Sequence, residues 1–261
     1  MKCSELGYSL HLGEYSAQVK KALDELNKQA FSKRLWQKDP SLWKQGPDGD
    51  KVIRNRLGWL DIVPTMVNRS DEILRFAEEV KNAGFKRAVL MGMGGSSLSP
   101  EVSRLTFGVR QRYPDLMVLD STVPESVLTI ERAIDPAHTL FIVSTKSGNT
   151  VETWSAYRYF FEKVRSVKGK EAADNFVAIT DPGTPLENEA QETSFRRVFL
   201  NSEDIGGRYS ALSHFGLVPA AIIGADIRCL LDRASLMMES CGPETAPSDN
   251  PGVLLLSLIH I

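Results

Sequence analysis

The sequence contains few cysteines, no excess of either charge and no long apolar run. Its three cysteines, Cys3, Cys229 and Cys241, lack the close CxxC spacing of a zinc site, and their odd number does not support a disulfide framework. The 31 Lys and Arg residues are balanced by 33 Asp and Glu, so the chain lacks the cationic surplus with which proteins displace counterions from nucleic acids. The longest uncharged apolar stretch, residues 253–259, is well short of the roughly 20 residues that cross a bilayer, and no apolar signal-peptide core is present. We therefore expect a cytoplasmic protein without nucleic-acid, membrane or metal partners.

What the sequence does contain is typical of a folded domain, since 42% hydrophobic residues in a chain of 261 can bury a core. Residues 1–65 have the pattern of a helical extension. Between residues 15 and 35, apolar side chains recur at helical spacing, at Val19, Leu23, Leu26 and Ala30. The Asp39-Pro40 pair should end this helix, and the polar residues 45–50 predict a loop. We expect the extension to dock on a larger domain.

From residue 66 to residue 240 the pattern changes to strands that alternate with helices. Short, nearly continuous apolar runs are typical of parallel strands covered on both faces, and they occur at residues 88–91, 117–119, 140–143, 176–179 and 198–200. Helical patterns lie between most of them, at residues 71–82, 98–110, 150–167 and 185–192. The alternation predicts an α/β fold, a three-layer αβα sandwich around a five-stranded parallel sheet. Ligands of such sheets bind beyond the carboxyl ends of the strands, so the loops after the strands should carry the function.

A glycine-rich loop follows the first predicted strand. Residues 91–100 bring glycines and serines to the start of a helix, whose free N–H groups and partial positive charge suit a phosphate. Two other interpretations stay open here. Gly92 and Gly94 supply two glycines of a dinucleotide-binding motif, with Ser97 at the third position and Asp120 in place of the ribose-binding acid; alternatively, the loop is only a tight turn.

The loop after the third strand gathers hydroxyl groups around a lysine just before a helix. Hydroxyls and backbone N–H groups satisfy phosphate oxygens, and the helix terminus adds a favourable field. The residues concerned are Ser144, Thr145, Lys146, Ser147 and Thr150. Helix capping by Asn149 or Thr150 is the alternative, but it accounts for only one or two of them. The cluster therefore favours an anion site, and a dinucleotide-binding fold does not need it.

The loop after the fifth strand carries Gly206, Gly207 and Arg208. An arginine is always protonated and planar, and it suits a developing oxyanion as well as a carboxylate. An ion pair with Glu203 or Asp204 is the structural alternative. Three anion-handling loops at one edge of a sheet indicate a small phosphorylated substrate.

The motifs in these loops resemble a known family. Gly94-Gly95-Ser96, residues 144–153 and the run from Gly206 to Ser210 are similar, in order and spacing, to the sugar-isomerase (SIS) domain of the phosphoglucose isomerase family. The resemblance covers residues 45–253 and is greatest to bacterial members fused behind a transaldolase. It implies a flavodoxin-like fold for the domain over residues 66–240.

The resemblance also implies roles for individual residues. Gly95 and Ser96 would line the sugar-phosphate site. The phosphate would be held by Thr145, Lys146, Ser147 and Thr150. Gly207 would lie beside the reacting carbons together with Arg208, which is the implied catalytic residue because its charge would stabilise an enediolate.

The family's reaction is reversible aldose–ketose isomerisation of glucose 6-phosphate and fructose 6-phosphate through a cis-enediolate. A carboxylate moves the proton between C2 and C1, so neither a metal nor an organic cofactor is expected. The family also suggests a homodimer for the full-length protein. A non-catalytic sugar-phosphate-binding SIS module and an NAD-dependent dehydrogenase are the alternatives.

The sequence departs from the family where the general base should be. That base is a Glu in a Glu-Ser-x-Gly-Lys motif of a second SIS domain, and Glu239 only imitates it, too soon after Arg208 and without the Lys. We expect Glu239 to be a solvated helix residue and His214 to be a helix-packing or surface residue. We also expect residues 241–261 to be the truncated start of a second domain, with a truncated or artefactual ending over residues 254–261. The chain should be inactive alone and prone to aggregation.

Overall fold

The core of the computed structural model is a parallel five-stranded sheet, and the structure describes residues 9–43 and 46–259. The strand order is β2-β1-β3-β4-β5, and every neighbouring pair is parallel. The strands are β1 (Arg87–Gly92), β2 (Asp115–Leu119), β3 (Thr139–Ser144), β4 (Phe176–Thr180) and β5 (Arg197–Leu200). Every residue of β3 and β4 is buried, which explains why the apolar runs in the sequence do not alternate. The prediction of an α/β fold with five parallel strands is confirmed.

Helices cover both faces of the sheet. They are α1 (Ser16–Lys28), α2 (Phe31–Trp36), α3 (Pro47–Arg54), α4 (Ile62–Asn82), α5 (Gly95–Phe107), α6 (Pro124–Ala133), α7 (Val151–Lys168), α8 (Pro185–Glu192), α9 (His214–Ile222), α10 (Ile227–Ser240) and α11 (Pro251–Ser257). Helices α4, α9 and α10 share one apolar cluster with Leu90 and Ile142 of the sheet. Helices α6, α7 and α8 share another with Val89 and Phe141. Adjacent strand residues therefore point to opposite layers, as the period of two requires.

The front of the chain is helical, but its elements differ from those predicted. The single helix expected over residues 15–35 is two helices, because Ala30 adopts a left-handed conformation with φ of 49° between α1 and α2. The loop predicted at residues 45–50 is wrong in its second half, where Pro47 opens α3 at a position that needs no N–H donor. Helix α4 begins earlier than expected, since Pro64 lies in its first turn and tolerates the missing donor there.

None of the helices in the described ranges is long and apolar enough to cross a membrane.

Helix α5 presents a stripe of exposed apolar side chains. Leu98, Val102 and Leu105 are 62%, 61% and 68% exposed, and their spacing places them on one side of the helix. The opposite side of α5 packs against α9 and the edge formed by β1 and β2. A contiguous apolar stripe of this kind is a surface that proteins usually cover.

We predict that the stripe makes the chain self-associate. The weight-average sedimentation coefficient of the wild-type chain should rise with concentration, and Val102→Glu should remove most of that rise because it places a charge in the middle of the stripe. The matched control is Val167→Glu, which changes an equally exposed valine on α7 in the other helical layer. A wild-type chain that stays monomeric at high concentration would contradict the prediction.

Candidate functional site

A cavity of about 350 Å³ lies at the carboxyl ends of the strands. All seven residues predicted to bind substrate line it: Gly95, Ser96, Thr145, Lys146, Ser147, Thr150 and Gly207. Ser144 of the predicted hydroxyl cluster and Met93 of the glycine-rich loop also line it. Sequence analysis did not assign the remaining lining residues to the site: Asn55, Arg56 and Asp181. The volume is at the small end of the range for ligand pockets, which fits a compact ligand.

Two of the three loops touch through their backbones. A Cβ built on Gly95 would be 1.8 Å from the carbonyl oxygen of Gly207, which no real Cβ tolerates. Gly95 begins α5, so its missing side chain lets the start of that helix approach the turn at Gly207–Tyr209. The two loops form one wall of the cavity as a result.

Replacement by alanine should destabilise the chain at Gly95 but not at Gly207. Gly95→Ala should lower the thermal unfolding midpoint by several degrees, because the methyl group has to push the turn away. Gly207→Ala is the matched control, since a Cβ at Gly207 meets no atom within 4 Å. Calorimetric melts of the two variants make the comparison. Equal melting points for Gly95→Ala and the wild type would rule out the contact.

The hydroxyl cluster lies at the start of α7. Thr145 and Thr150 share a hydrogen bond of 2.7 Å between their Oγ1 atoms, and the Oγ of Ser147 donates to Oδ1 of Asn149 at 2.6 Å. Thr150 is the N-cap residue of α7, as the capping alternative allowed, but its side chain makes no capping hydrogen bond. Uncapped first-turn N–H groups beside clustered hydroxyls are suited to bind an anion.

Lys146 is held by two partners. Its ammonium forms an ion pair with Asp181, and its Nζ donates to the carbonyl oxygen of Glu203 at 2.9 Å. Asp181 is only 7% exposed, and burial raises the pKa of its carboxyl group although Lys146 opposes that shift. The second contact joins the loop after β3 to the loop after β5.

Arg208 lies on the turn at Gly207–Tyr209 and is exposed. It does not line the cavity itself, but it follows Gly207, which does. The alternative of an ion pair with Glu203 or Asp204 is wrong, because Arg208 pairs with no acid among the described residues. Oδ2 of Asp204 instead lies 3.6 Å from Nζ of Lys38. The guanidinium is therefore free to meet a ligand.

Residues 55–60 form a strap, a short segment that crosses the loop after β5. Leu57 makes an isolated antiparallel bridge with Ile205, and the N–H of Gly58 donates to the carbonyl of Asp204 at 2.9 Å. The ring of Trp59 stacks on that of Tyr209 at a centroid distance of 5.7 Å. The front segment therefore docks, as predicted, and part of it lies at the carboxyl ends of the strands. This position puts Arg56 in the cavity wall.

Comparison with known proteins agrees with this geometry. Residues 55–261 match the family model of phosphoglucose isomerase. The chain belongs to the phosphoglucose isomerase family. The match begins at the strap and includes all three loops.

Individual relatives show how much of the family's length is covered. A glucose-6-phosphate isomerase of Thermus thermophilus is 35% identical over 194 residues, which are 73% of this chain and 43% of the relative. That of Carboxydothermus hydrogenoformans is 32% identical over 223 residues, 81% of this chain and 47% of the relative. The crystal structure of a hypothetical protein from Thermus thermophilus superposes with a TM-score of 0.78 at 28% identity, covering 94% of this chain and 55% of that one. The chain thus spans less than half the length of the curated relatives it matches.

Glu239 and His214, which sequence analysis left out of the site, lie outside the cavity. Glu239 is exposed in the last turn of α10, as predicted. His214 is 3% exposed at the start of α9, where its ring lies against that of Phe199, so of its two predicted roles the structure gives it helix packing. Asp120, the acid of the dinucleotide interpretation, lines a separate groove beside β2.

Burial lowers the pKa of His214 to about 4, with a further contribution from the charge of Arg69. The folded pKa is below the unfolded value of about 6.5, so the unfolded chain binds more protons between these two values. The contribution of neutral His214 is therefore complete above pH 6.5 and is lost as the pH falls toward 4, by about 3 kcal/mol.

The test is the free energy of unfolding of His214→Leu across that pH range. We expect a shallower pH dependence than in the wild type, because the buried group can no longer be protonated. His11→Leu, at an exposed histidine, should keep the wild-type slope. A steep loss of stability that persists in His214→Leu would show that another group causes it.

Proposed function

We propose that this chain forms the sugar-phosphate-binding part of a glucose-6-phosphate isomerase, which interconverts glucose 6-phosphate and fructose 6-phosphate. The proposal rests on one observation: the residues that match the family's substrate motifs surround a single cavity. Membership of the phosphoglucose isomerase family supports it further. A compact cavity with a hydroxyl cluster at a helix N-terminus suits a phosphorylated monosaccharide.

In this proposal the hydroxyls of Thr145, Ser147 and Thr150 hold the phosphate together with the first N–H groups of α7. The open-chain sugar then extends past Gly95, Ser96 and Gly207 toward Arg208. The base removes the proton from C2, whose electron pair forms the C1=C2 bond of the enediolate while the C1=O π pair moves to O1. A proton passes from O2 to O1, the C2=O bond forms, and the C1=C2 pair takes the proton back at C1. Arg208 stabilises the negative charge that develops on the oxygens. These steps need only acid–base groups and a fixed cation, so we propose no metal or organic cofactor.

Among the described residues, no unpaired carboxylate lines the cavity to act as that base. Asp181, the acid in the cavity wall, is paired with Lys146 and buried, and Glu239 is exposed on α10 away from the cavity. We therefore propose that the general base comes from residues outside these 261 positions. The wider proposal includes a helical extension over residues 1–65, an SIS domain over 66–240, the start of a second domain over 241–261, a homodimeric parent enzyme and a cytoplasmic location. Fusion behind a transaldolase stays a prediction.

The isolated chain should bind fructose 6-phosphate without isomerising it. Titration calorimetry should detect the phosphorylated sugar but not fructose, while a coupled assay shows no turnover. Thr150→Val should weaken binding about tenfold, because it removes one hydroxyl from a charged ligand and keeps the side-chain shape. Thr129→Val, on an exposed part of α6, is the control. Turnover at an enzymatic rate would contradict the absence of a base, and lack of binding would contradict the function.

A second measurement separates an isomerase from a non-catalytic SIS module. A five-carbon aldonic acid phosphate carries a planar carboxylate that imitates the enediolate, and an isomerase should bind it at least tenfold more tightly than the substrate. Arg208→Ala should remove this preference, whereas Arg233→Ala on α10 should not. Equal affinity for the two ligands in the wild-type chain would favour the binding module.

A further inference from the structure

The charges in the cavity wall are unequally available to a ligand. Three charged residues line the cavity, namely Arg56, Lys146 and Asp181. Lys146 and Asp181 neutralise each other in their ion pair. Arg56 forms no ion pair and no side-chain hydrogen bond within the described part of the chain. The uncompensated positive charge of the wall therefore belongs to Arg56 and not to Lys146.

The position of Arg56 is fixed by its neighbours. Its Cδ lies 3.6 Å from the place where a Cβ of Gly206 would be, so the aliphatic part of the side chain covers that glycine. The next two residues of the strap, Leu57 and Gly58, are bonded to Ile205 and Asp204. The anchored segment thus holds the backbone and the stem of Arg56 at the cavity wall, while the guanidinium is exposed.

Lys146 has a different role in the same wall. It cross-links the loop after β3 to the carbonyl of Glu203, and Asp181 holds its ammonium in place. A lysine whose charge is shared with a buried carboxylate attracts an anion less strongly than a free cation does. Lys146 is therefore suited to position the loops, and Arg56 is suited to bind the anion, since a guanidinium donates two parallel hydrogen bonds to a phosphate.

We propose that Arg56 is an anion-binding residue of this cavity, which contacts the phosphate of the sugar phosphate, and that Lys146 is a positioning residue. This inference rests on the proposed function for the identity of the sugar, but the charge of Arg56 acts on any phosphate. It changes the role that the family resemblance implies for Lys146.

The test compares binding of fructose 6-phosphate and of inorganic phosphate by titration calorimetry. Arg56→Gln keeps the stem that covers Gly206 and removes the charge, so it should weaken the binding of both ligands at least tenfold. Arg56→Lys should recover part of the affinity, because it restores the charge without the paired donors. The matched control is Arg54→Ala, an exposed arginine two residues earlier that does not line the cavity. Unchanged melting points would show that the variants are folded.

A compensating variant distinguishes charge from structure. In the Arg56→Gln background, Asp181→Asn should release the charge of Lys146 and so restore at least a third of the lost affinity. A merely structural role for Arg56 does not predict this recovery. Wild-type affinity in Arg56→Gln would overturn the inference and leave the proposed function intact. Binding of inorganic phosphate that depends on Arg56, without preference for the hexose phosphate, would support Arg56 and contradict the proposed function. A wild-type chain that binds neither ligand would overturn both.

Discussion

The contact between the backbones of Gly95 and Gly207 is the constraint on which the cavity depends. Strands β1 and β5 are separated in the sheet by β3 and β4, a distance of about 14 Å at the usual strand spacing. Their loops can meet only if the segment after β5 returns across the edge of the sheet. The carbonyl of Glu203 receives a hydrogen bond from Lys146 on the way, and the turn at Gly207–Tyr209 then reaches the start of α5. Loosening the contact at Gly95 would separate the start of α5 from the turn that carries Arg208.

The same arrangement solves an electrostatic difficulty. A fully buried cation would be costly to desolvate, and it would need a carboxylate partner that then repels a phosphate. The inner part of the cavity contains one such pair, Lys146 with Asp181, whose charges cancel each other. Its other donors are neutral, namely the hydroxyls and backbone N–H groups near Thr145, Ser147 and Thr150. The free guanidinium groups of Arg56 and Arg208 belong to exposed residues, where hydration makes an unpaired charge inexpensive. Under the proposed function, the cations at the rim would attract an anion toward the polar groups inside.

Much of the fold and of the candidate site could be predicted from the sequence, because buried parallel strands and the glycine and hydroxyl motifs are local signals. The five strands and the loops after them follow from runs of a few residues, and the topology of a parallel sheet brings those loops to one edge. The helix break at Ala30 had no such signal, since alanine normally favours a helix. The Lys146–Asp181 pair and the strap at residues 55–60 depend on contacts between distant parts of the chain. The run from Arg56 to Trp59 is a local mixture of charged, glycine and aromatic residues, but only its bridge to Ile205 gives it a place in the site.

The exposure of Arg208 limits what the cavity can do by itself. Two unit charges 4 Å apart attract by about 1 kcal/mol in bulk water and by about 4 kcal/mol at the effective dielectric constant of a protein surface. An arginine that water surrounds would thus stabilise an enediolate weakly, whatever carboxylate supplied the proton transfer. The same guanidinium becomes effective when another surface excludes the water, because fixed dipoles and charges then act without a competing solvent. The relatives are more than twice as long as the portion matched here, so they have additional chain that can provide such a cover. Under the proposed function, binding of the phosphate and stabilisation of the enediolate would therefore be separable tasks.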